Sequence, residues 1–117
     1  MQSEELLELA QTSLEDLKAQ DVKVLDVRKL TSVTDYLLIA SGTSDRHVRS
    51  ISDKLVENVR QAGARPLGIE GQDSAEWVLI DLNDIIVHVM QTKTRGFYKL
   101  EDLWTLGAAP DKERAGG

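Results

Sequence analysis

Two apolar segments separated by only two residues constrain the fold more than any other feature of this sequence. Residues 77–82 and 85–90 are rich in aliphatic side chains, and Asn83 and Asp84 lie between them. Asn and Asp tolerate the positive φ angles of a two-residue loop, so the pattern predicts an antiparallel β-hairpin. In that register Leu82 pairs with Ile85, and Trp77 pairs with Met90.

The hairpin register sorts the side chains onto two faces, because faces alternate along a strand and paired residues share a face. One face is entirely aliphatic and is predicted to form the core; it comprises Val78, Ile80, Leu82, Ile85, Val87 and Val89. The other, here called the mixed face, comprises Trp77, Leu79, Asp81, Ile86, His88 and Met90. Two interpretations of the mixed face stay open. Either a helix covers it and His88 is a half-buried, satisfied residue, or it is an exposed docking surface for another protein.

The rest of the sequence predicts helices and further strands around this hairpin. Apolar residues spaced by three and four predict a helix over residues 3–20, with Ser3 as its N-cap, and a second helix that ends at Gly63. Strands are predicted at residues 22–27, 35–40 and 67–70, and one or two short helices at 91–104. We therefore expect one α/β domain over residues 1–106, with a single mixed sheet of about five strands flanked by helices. Residues 107–117 are expected to be a disordered tail.

Charge and cysteine content exclude several classes of protein. The 117 residues include 20 Asp and Glu against 14 Lys and Arg, which gives a formal net charge of −6. A protein that holds nucleic acid mainly through its phosphates normally carries a basic patch, so RNA is not expected to be the main ligand. The absence of cysteine excludes a disulfide scaffold and a thiolate zinc site. No apolar run is long enough to cross a membrane and no signal peptide is evident, so we expect a cytoplasmic protein with no membrane partner.

The candidate catalytic groups do not assemble an active site in the sequence. The Ser-Gly-Thr-Ser turn at residues 41–44 has the layout of a phosphate-binding helix N-terminus, but it lacks the glycine spacing and the lysine of a P-loop. We interpret it as a helix cap. Asp81 is a lone carboxylate at a strand end, and His47 and His88 belong to no metal-ligand motif. The sequence thus predicts no catalytic residue, no metal and no cofactor.

The segment after the hairpin combines basic and aromatic residues. Residues 92–99 contain three basic residues, Lys93, Arg95 and Lys99, and two aromatic residues, Phe97 and Tyr98, a composition that could allow a minor contact with RNA. The alternative, which we favour, is that the aromatic residues pack while the basic residues are solvated.

Three blocks of the sequence resemble signatures of the ribosomal silencing factor family, also called the Iojap family. The first is Val-Thr-Asp-Tyr at residues 33–36 leading into Ile-Ala-Ser-Gly-Thr-Ser at 39–44. The second is Glu70-Gly71 followed by residues 77–81 and 86–90, and the third is Arg95, Phe97-Tyr98 and residues 100–104. The blocks follow one another in the family's order over most of the chain.

The resemblance implies a fold similar to that of nucleotidyltransferases but without their catalytic carboxylates. It also implies binding to the large ribosomal subunit through ribosomal protein uL14, on the face that meets the small subunit. Such binding sterically blocks subunit joining and represses translation when nutrients are short, as in stationary phase. Organellar relatives act in assembly of the large subunit.

Combining the resemblance with the hairpin register gives a set of predicted partner contacts. Trp77 and Met90 are predicted as apolar anchors, and His88 and Asp81 as polar contacts. The full set is Trp77, Leu79, Asp81, Ile86, His88, Met90, Lys93, Arg95 and Tyr98. Three alternatives stay open: a nucleotidyltransferase-like enzyme that binds a nucleoside triphosphate and a metal near Ser41, Ser44 and Asp81, a large-subunit assembly factor, and a homodimer that covers the mixed face in the free protein.

Overall fold

The computed structural model describes residues 2–98, apart from the side chains of Phe97 and Tyr98. Three helices and five strands follow one another along this part of the chain. They are α1 (Ser3–Asp16), β1 (Gln20–Asp26), β2 (Tyr36–Gly42), α2 (Asp45–Gln61), β3 (Gly68–Glu70), β4 (Trp77–Asp81), β5 (Ile85–Gln91) and α3 (Thr92–Tyr98). The second half of the segment predicted as helical, the domain boundary at residue 106 and the predicted tail lie outside the described residues.

The five strands form one mixed sheet in the order β1-β2-β5-β4-β3. Strands β2 and β5 are parallel, whereas the other neighbouring strands are antiparallel. Helix α2 carries the chain from β2 to the opposite edge strand β3, which leaves room for the β4–β5 hairpin to insert beside β2. The predicted class, a single mixed sheet of five strands flanked by helices, is confirmed.

The hairpin has the predicted register. Trp77 pairs with Met90, and Leu79 pairs with His88. The Leu82 N–H donates to the Ile85 carbonyl at 2.8 Å, and Asn83 has a φ of 76°, as the two-residue loop requires.

The aliphatic face of the hairpin packs against α1 and α2, which together cover one side of the sheet. Helix α1 contributes Leu6, Ala10 and Leu14 to this core. Helix α2 contributes one buried stripe, formed by Val48, Ile51, Leu55 and Val59. All six aliphatic residues of the hairpin's core face are buried here, which confirms the predicted core.

Both ends of α1 differ from the prediction. The helix begins after Gln2, whose backbone N–H donates to the Glu5 carboxylate at 3.0 Å. Ser3 is therefore not the N-cap, because its hydroxyl is used in a tertiary contact, 2.8 Å from an Asp35 oxygen and 3.2 Å from one of Asp84.

The C-terminal end of α1 comes four residues earlier than predicted. Lys18 adopts a φ of 61°, and the N–H of Ala19 bonds back to the Leu14 carbonyl. Gly63 closes α2 in the same way, with a φ of 92° and a bond from the N–H of Ala64 to the carbonyl of Val59. The predicted stop at Gly63 is confirmed, whereas the first stop was missed because a lysine stands where glycine usually marks a left-handed helix end.

Candidate functional site

The mixed face lies on the side of the sheet opposite α1 and α2. There it joins apolar side chains of β1, of β2 and of the segment between them in a second, smaller cluster. Its buried members are Val27, Leu37, Ile39 and Met90, and partly buried Leu25, Leu30, Trp77 and Ile86 pack against them. Three residues of the mixed face, Trp77, Ile86 and Met90, thus belong to one apolar cluster rather than standing as isolated side chains.

The predicted contact residues of the hairpin divide into two layers. Trp77, Leu79, Asp81 and Ile86 are partly exposed. His88 retains 7% of its exposure and Met90 retains none. Met90 therefore supports the outer layer from within rather than standing at the surface as an apolar anchor.

Trp77 and His88 form a polar contact within this apolar face. They are diagonal neighbours on β4 and β5, with ring centroids 5.9 Å apart and ring planes tilted by 51°. The indole Nε1–H donates to Nδ1 of His88 at 2.9 Å. Because Nδ1 must accept this bond, the neutral imidazole carries its proton on Nε2.

Burial lowers the pKa of His88 to about 4, because a charged imidazolium would lose its hydration inside the face. His88 is therefore neutral at pH 7 and remains an acceptor for the indole. A protonated Nδ1 would instead be a second donor opposite the indole N–H, so the contact depends on the neutral state.

Acidification is expected to destabilise the protein through His88. An unfolded histidine titrates near pKa 6.5, whereas the folded value is about 4, so the unfolded state binds more protons between these values. The stabilisation is complete above pH 6.5 and decreases as the pH falls toward 4. We expect a loss of about 2 kcal/mol in the free energy of unfolding by pH 5. Urea unfolding at pH 7.5 and pH 5 measures it, and a His88→Asn variant that lost as much stability as the wild type would exclude His88 as the source.

A glycine fixes the start of β4, which carries Trp77. Gly71 has a φ of 86°, and a Cβ atom at this position would collide with the backbone carbonyl oxygen of Trp77. Glu70, Gly71, Trp77 and Leu79 line a shallow depression beside the mixed face. The family signature included Gly71, but sequence reasoning gave it no role, since the requirement for glycine arises from a contact six residues away.

The loop between Gly71 and β4 is held by side chains from two other elements, α2 and β5. Arg49 of α2 donates to the carbonyl of Asp73 at 2.6 Å and to that of Gln72 at 3.3 Å. Gln91 of β5 donates through its side chain to the carbonyl of Ala75 at 3.2 Å. Sequence reasoning missed Arg49 and Gln91 as supports of the site, because each acts on loop carbonyls that its local sequence does not identify.

The basic residues of α3 have different surroundings. Lys93 is exposed, whereas Arg95 retains only 7% of its exposure. Arg95 donates to the Ser41 hydroxyl at 3.0 Å and to the Asp21 carbonyl at 2.6 Å. The expectation that Arg95 is solvated was wrong, because these long-range acceptors draw its guanidinium under the sheet edge. Tyr98 lies in α3, and its side chain is outside the described residues.

The turn at residues 41–44 serves as a helix cap, as interpreted from the sequence. The Ser44 hydroxyl accepts from the His47 N–H at 3.1 Å and begins α2. Strand β2 continues through Gly42, beyond the predicted break, and Ser41 is buried against Arg95. The imidazole of His47 joins the turn to α1, accepting from the Thr43 N–H at 2.9 Å and donating to the Leu17 carbonyl at 2.7 Å.

The residues of the nucleotidyltransferase alternative lie at opposite ends of the sheet. Asp81 of β4 pairs with Ile86 of β5, which in turn pairs with Leu37 of β2. Ser41 of β2 pairs with Met90 of β5. Four residues separate these levels, which is about 13 Å along the strands. Within residues 2–98 no three His, Asp or Glu side chains are grouped as metal ligands, and no helix is long and apolar enough to cross a membrane.

Comparison with known proteins agrees with the resemblance. The chain matches the family described as "Ribosomal silencing factor during starvation" over residues 1–116. It is 39% identical over 104 residues to ribosomal silencing factor RsfS of Chromobacterium violaceum, covering 89% of this chain and 85% of the relative. It is 40% identical over 99 residues to the protein of the same name in Haemophilus influenzae, covering 85% and 97%.

Two further comparisons concern the fold and an organellar relative. A crystal structure of a Chromobacterium violaceum protein superimposes with a TM-score of 0.88 at 39% identity, covering 90% of this chain and 88% of that one. A mouse protein named "Mitochondrial assembly of ribosomal large subunit protein 1" is 36% identical over 97 residues, which cover 80% of this chain and 42% of the mouse protein. Since the family match spans nearly the whole sequence and the relatives and the crystal structure agree with it, the chain belongs to the ribosomal silencing factor family.

Proposed function

We propose that this protein binds the large ribosomal subunit through ribosomal protein uL14 and sterically blocks joining of the small subunit. Blocking of this kind requires a stable patch in the right place and no chemistry. A standard interface of about 800 Å² per partner is within reach of a domain of this size. Repression of translation under nutrient limitation follows from the loss of joined ribosomes.

The outer layer of the mixed face is the observation that carries the proposal. Trp77, Leu79 and Ile86 are partly exposed beside one another, with the carboxylate of Asp81 at the margin. A tryptophan among aliphatic side chains with a polar edge is typical of the residues that dominate the energy of protein interfaces. Because these residues stand on paired central strands, the patch is rigid before it binds.

The distribution of charge favours a basic protein over RNA as the main contact. Part of the excess negative charge lies on the exposed face of α1, at Glu4, Glu5, Glu8, Glu15 and Asp16. Such a surface repels bare phosphate but steers approach to a basic ribosomal protein. Exposed Lys93 follows directly after β5 and is placed for a minor contact with ribosomal RNA.

Assembly of the large subunit is a second candidate function. It is supported by the name of the mouse relative, which refers to assembly of the mitochondrial large subunit. Both functions use the same binding event, and they differ in whether the bound particle is mature.

Sucrose gradients and a joining assay test the proposal. We expect the protein to co-sediment with large subunits, to be absent from small subunits, and to inhibit joining with saturation at one protein per large subunit. Titration calorimetry with ATP and magnesium tests the enzyme alternative in parallel. Nucleotide binding together with normal subunit joining would contradict the silencing proposal, whereas binding confined to immature large subunits would favour the assembly function.

A further inference from the structure

We infer that His88 is a positioning residue, whose Nδ1 holds the indole of Trp77 in the orientation that the mixed face presents to its partner. The contact between the two rings is observed in the structure. Its effect on binding to the large subunit rests on the proposed function. This role of His88 differs from the direct polar contact with that partner that the sequence predicted.

The first support is the position of the imidazole beneath the outer layer. His88 lies in the fourth position of β5, between Ile86 and Met90 on the same face, with Leu79 and Ile39 as its cross-strand neighbours. These apolar neighbours leave the ring 7% exposed. A partner bound on this face would therefore meet Trp77 and Leu79 before it met the imidazole.

The second support is the direction of the contact between the two rings. Trp77 is partly exposed and borders the depression formed with Glu70, Gly71 and Leu79. Its indole N–H points inward to Nδ1 of His88 at 2.9 Å. A hydrogen bond of this kind fixes the rotation of the indole about its side-chain bonds, which apolar packing alone specifies less sharply.

The third support is burial, which keeps the acceptor neutral although charged groups lie on the same face. The charged groups on this face of the neighbouring elements are Lys23 of β1, Glu70 of β3, Asp81 of β4 and Arg95 of α3. Arg95 donates to Ser41 and to Asp21, at the β1 edge of the sheet. Burial is the cause of the lowered pKa of His88, so the acceptor persists across the neutral range.

A set of variants separates positioning from a general loss of packing. His88→Leu keeps an apolar side chain at this site but removes the acceptor, and we expect about tenfold weaker binding to large subunits. His88→Asn places an acceptor close to the Nδ1 position and should restore most of that binding. In a Trp77→Phe background, which has no indole N–H, His88→Leu should cause little further loss. Val24→Ala, at an exposed strand position that pairs with Leu38 of the core face, serves as the control.

A spectroscopic measurement on the free protein tests the geometry without the ribosome. Trp77 and Trp104 are the two tryptophans, so a Trp104→Phe background leaves only the Trp77 indole N–H signal in a ¹H–¹⁵N spectrum. We expect the chemical shift of that signal to change in His88→Leu and to remain near its original value in His88→Asn. With His88 present, the signal should shift as the pH approaches 4.

The outcomes of the two measurements are distinguishable. An indole signal unaffected by His88→Leu, or equal binding by the Leu and Asn variants, would overturn the inference. If the indole responds as expected but the wild-type protein does not bind large subunits, His88 positions Trp77 and the proposed function is wrong.

Discussion

Replacing Trp77 with alanine is expected to abolish co-sedimentation with large ribosomal subunits, weakening binding at least about a hundredfold. The indole is the largest partly exposed side chain of the mixed face, and it borders the depression beside Leu79. Its removal would leave a hole in the proposed interface beside Leu79. Sucrose gradients at several protein concentrations would measure the loss.

The fold should survive this substitution, because Trp77 belongs to the smaller apolar cluster and not to the core beneath α1 and α2. We expect a cooperative melt at a lower temperature and an unchanged far-ultraviolet circular dichroism spectrum. The Val24→Ala variant also shortens an exposed apolar side chain, but on the opposite face of the sheet. Its binding should match that of the wild type, and equal binding by Trp77→Ala would place the interface elsewhere.

The register of β4 and β5 was predictable from sequence because a two-residue loop joins them. With the loop at Asn83 and Asp84, a register shift by one residue would have moved every aliphatic side chain of the hairpin to the wrong face. The aliphatic face was therefore correctly identified as the core side of the hairpin, and the structure shows that α1 and α2 cover it. The same register correctly placed Trp77 and His88 on one face, but it could not show that they are hydrogen-bonded.

The supports of the site were not predictable in the same way, because they depend on partners far away in sequence. Arg95 donates to Ser41 and Asp21, which lie 54 and 74 positions earlier in the sequence. The burial of Arg95 therefore cannot be predicted from its neighbouring residues. Lys18 and Gly71 both adopt positive φ, but only Gly71 faces a backbone atom that forbids a side chain. The sequence pattern thus identified the elements and the face, whereas the contacts that fix the face required the structure.

Gly71→Ala is expected to be the most destabilising of the substitutions considered, lowering the free energy of unfolding by about 4 kcal/mol. Part of the effect is the positive φ, which costs an alanine roughly 1 kcal/mol. The larger part is the collision of its Cβ with the Trp77 carbonyl oxygen. That oxygen cannot move aside easily, since β4 is paired with β5 on one side and β3 on the other.

Gly63→Ala is the matched control for this collision, because Gly63 has a similar φ of 92° but no atom within 4 Å of the added Cβ. We expect Gly63→Ala to lower the free energy of unfolding, measured in urea, by only about 1 kcal/mol. The difference between the two variants then measures the cost of the collision at Gly71. Any Gly71→Ala protein that remains folded must shift the start of β4, and with it the indole of Trp77, so its binding to large subunits should also weaken. Equal stability of the two variants would mean that β4 yields freely, and the mixed face would then lack the rigidity on which the docking proposal depends.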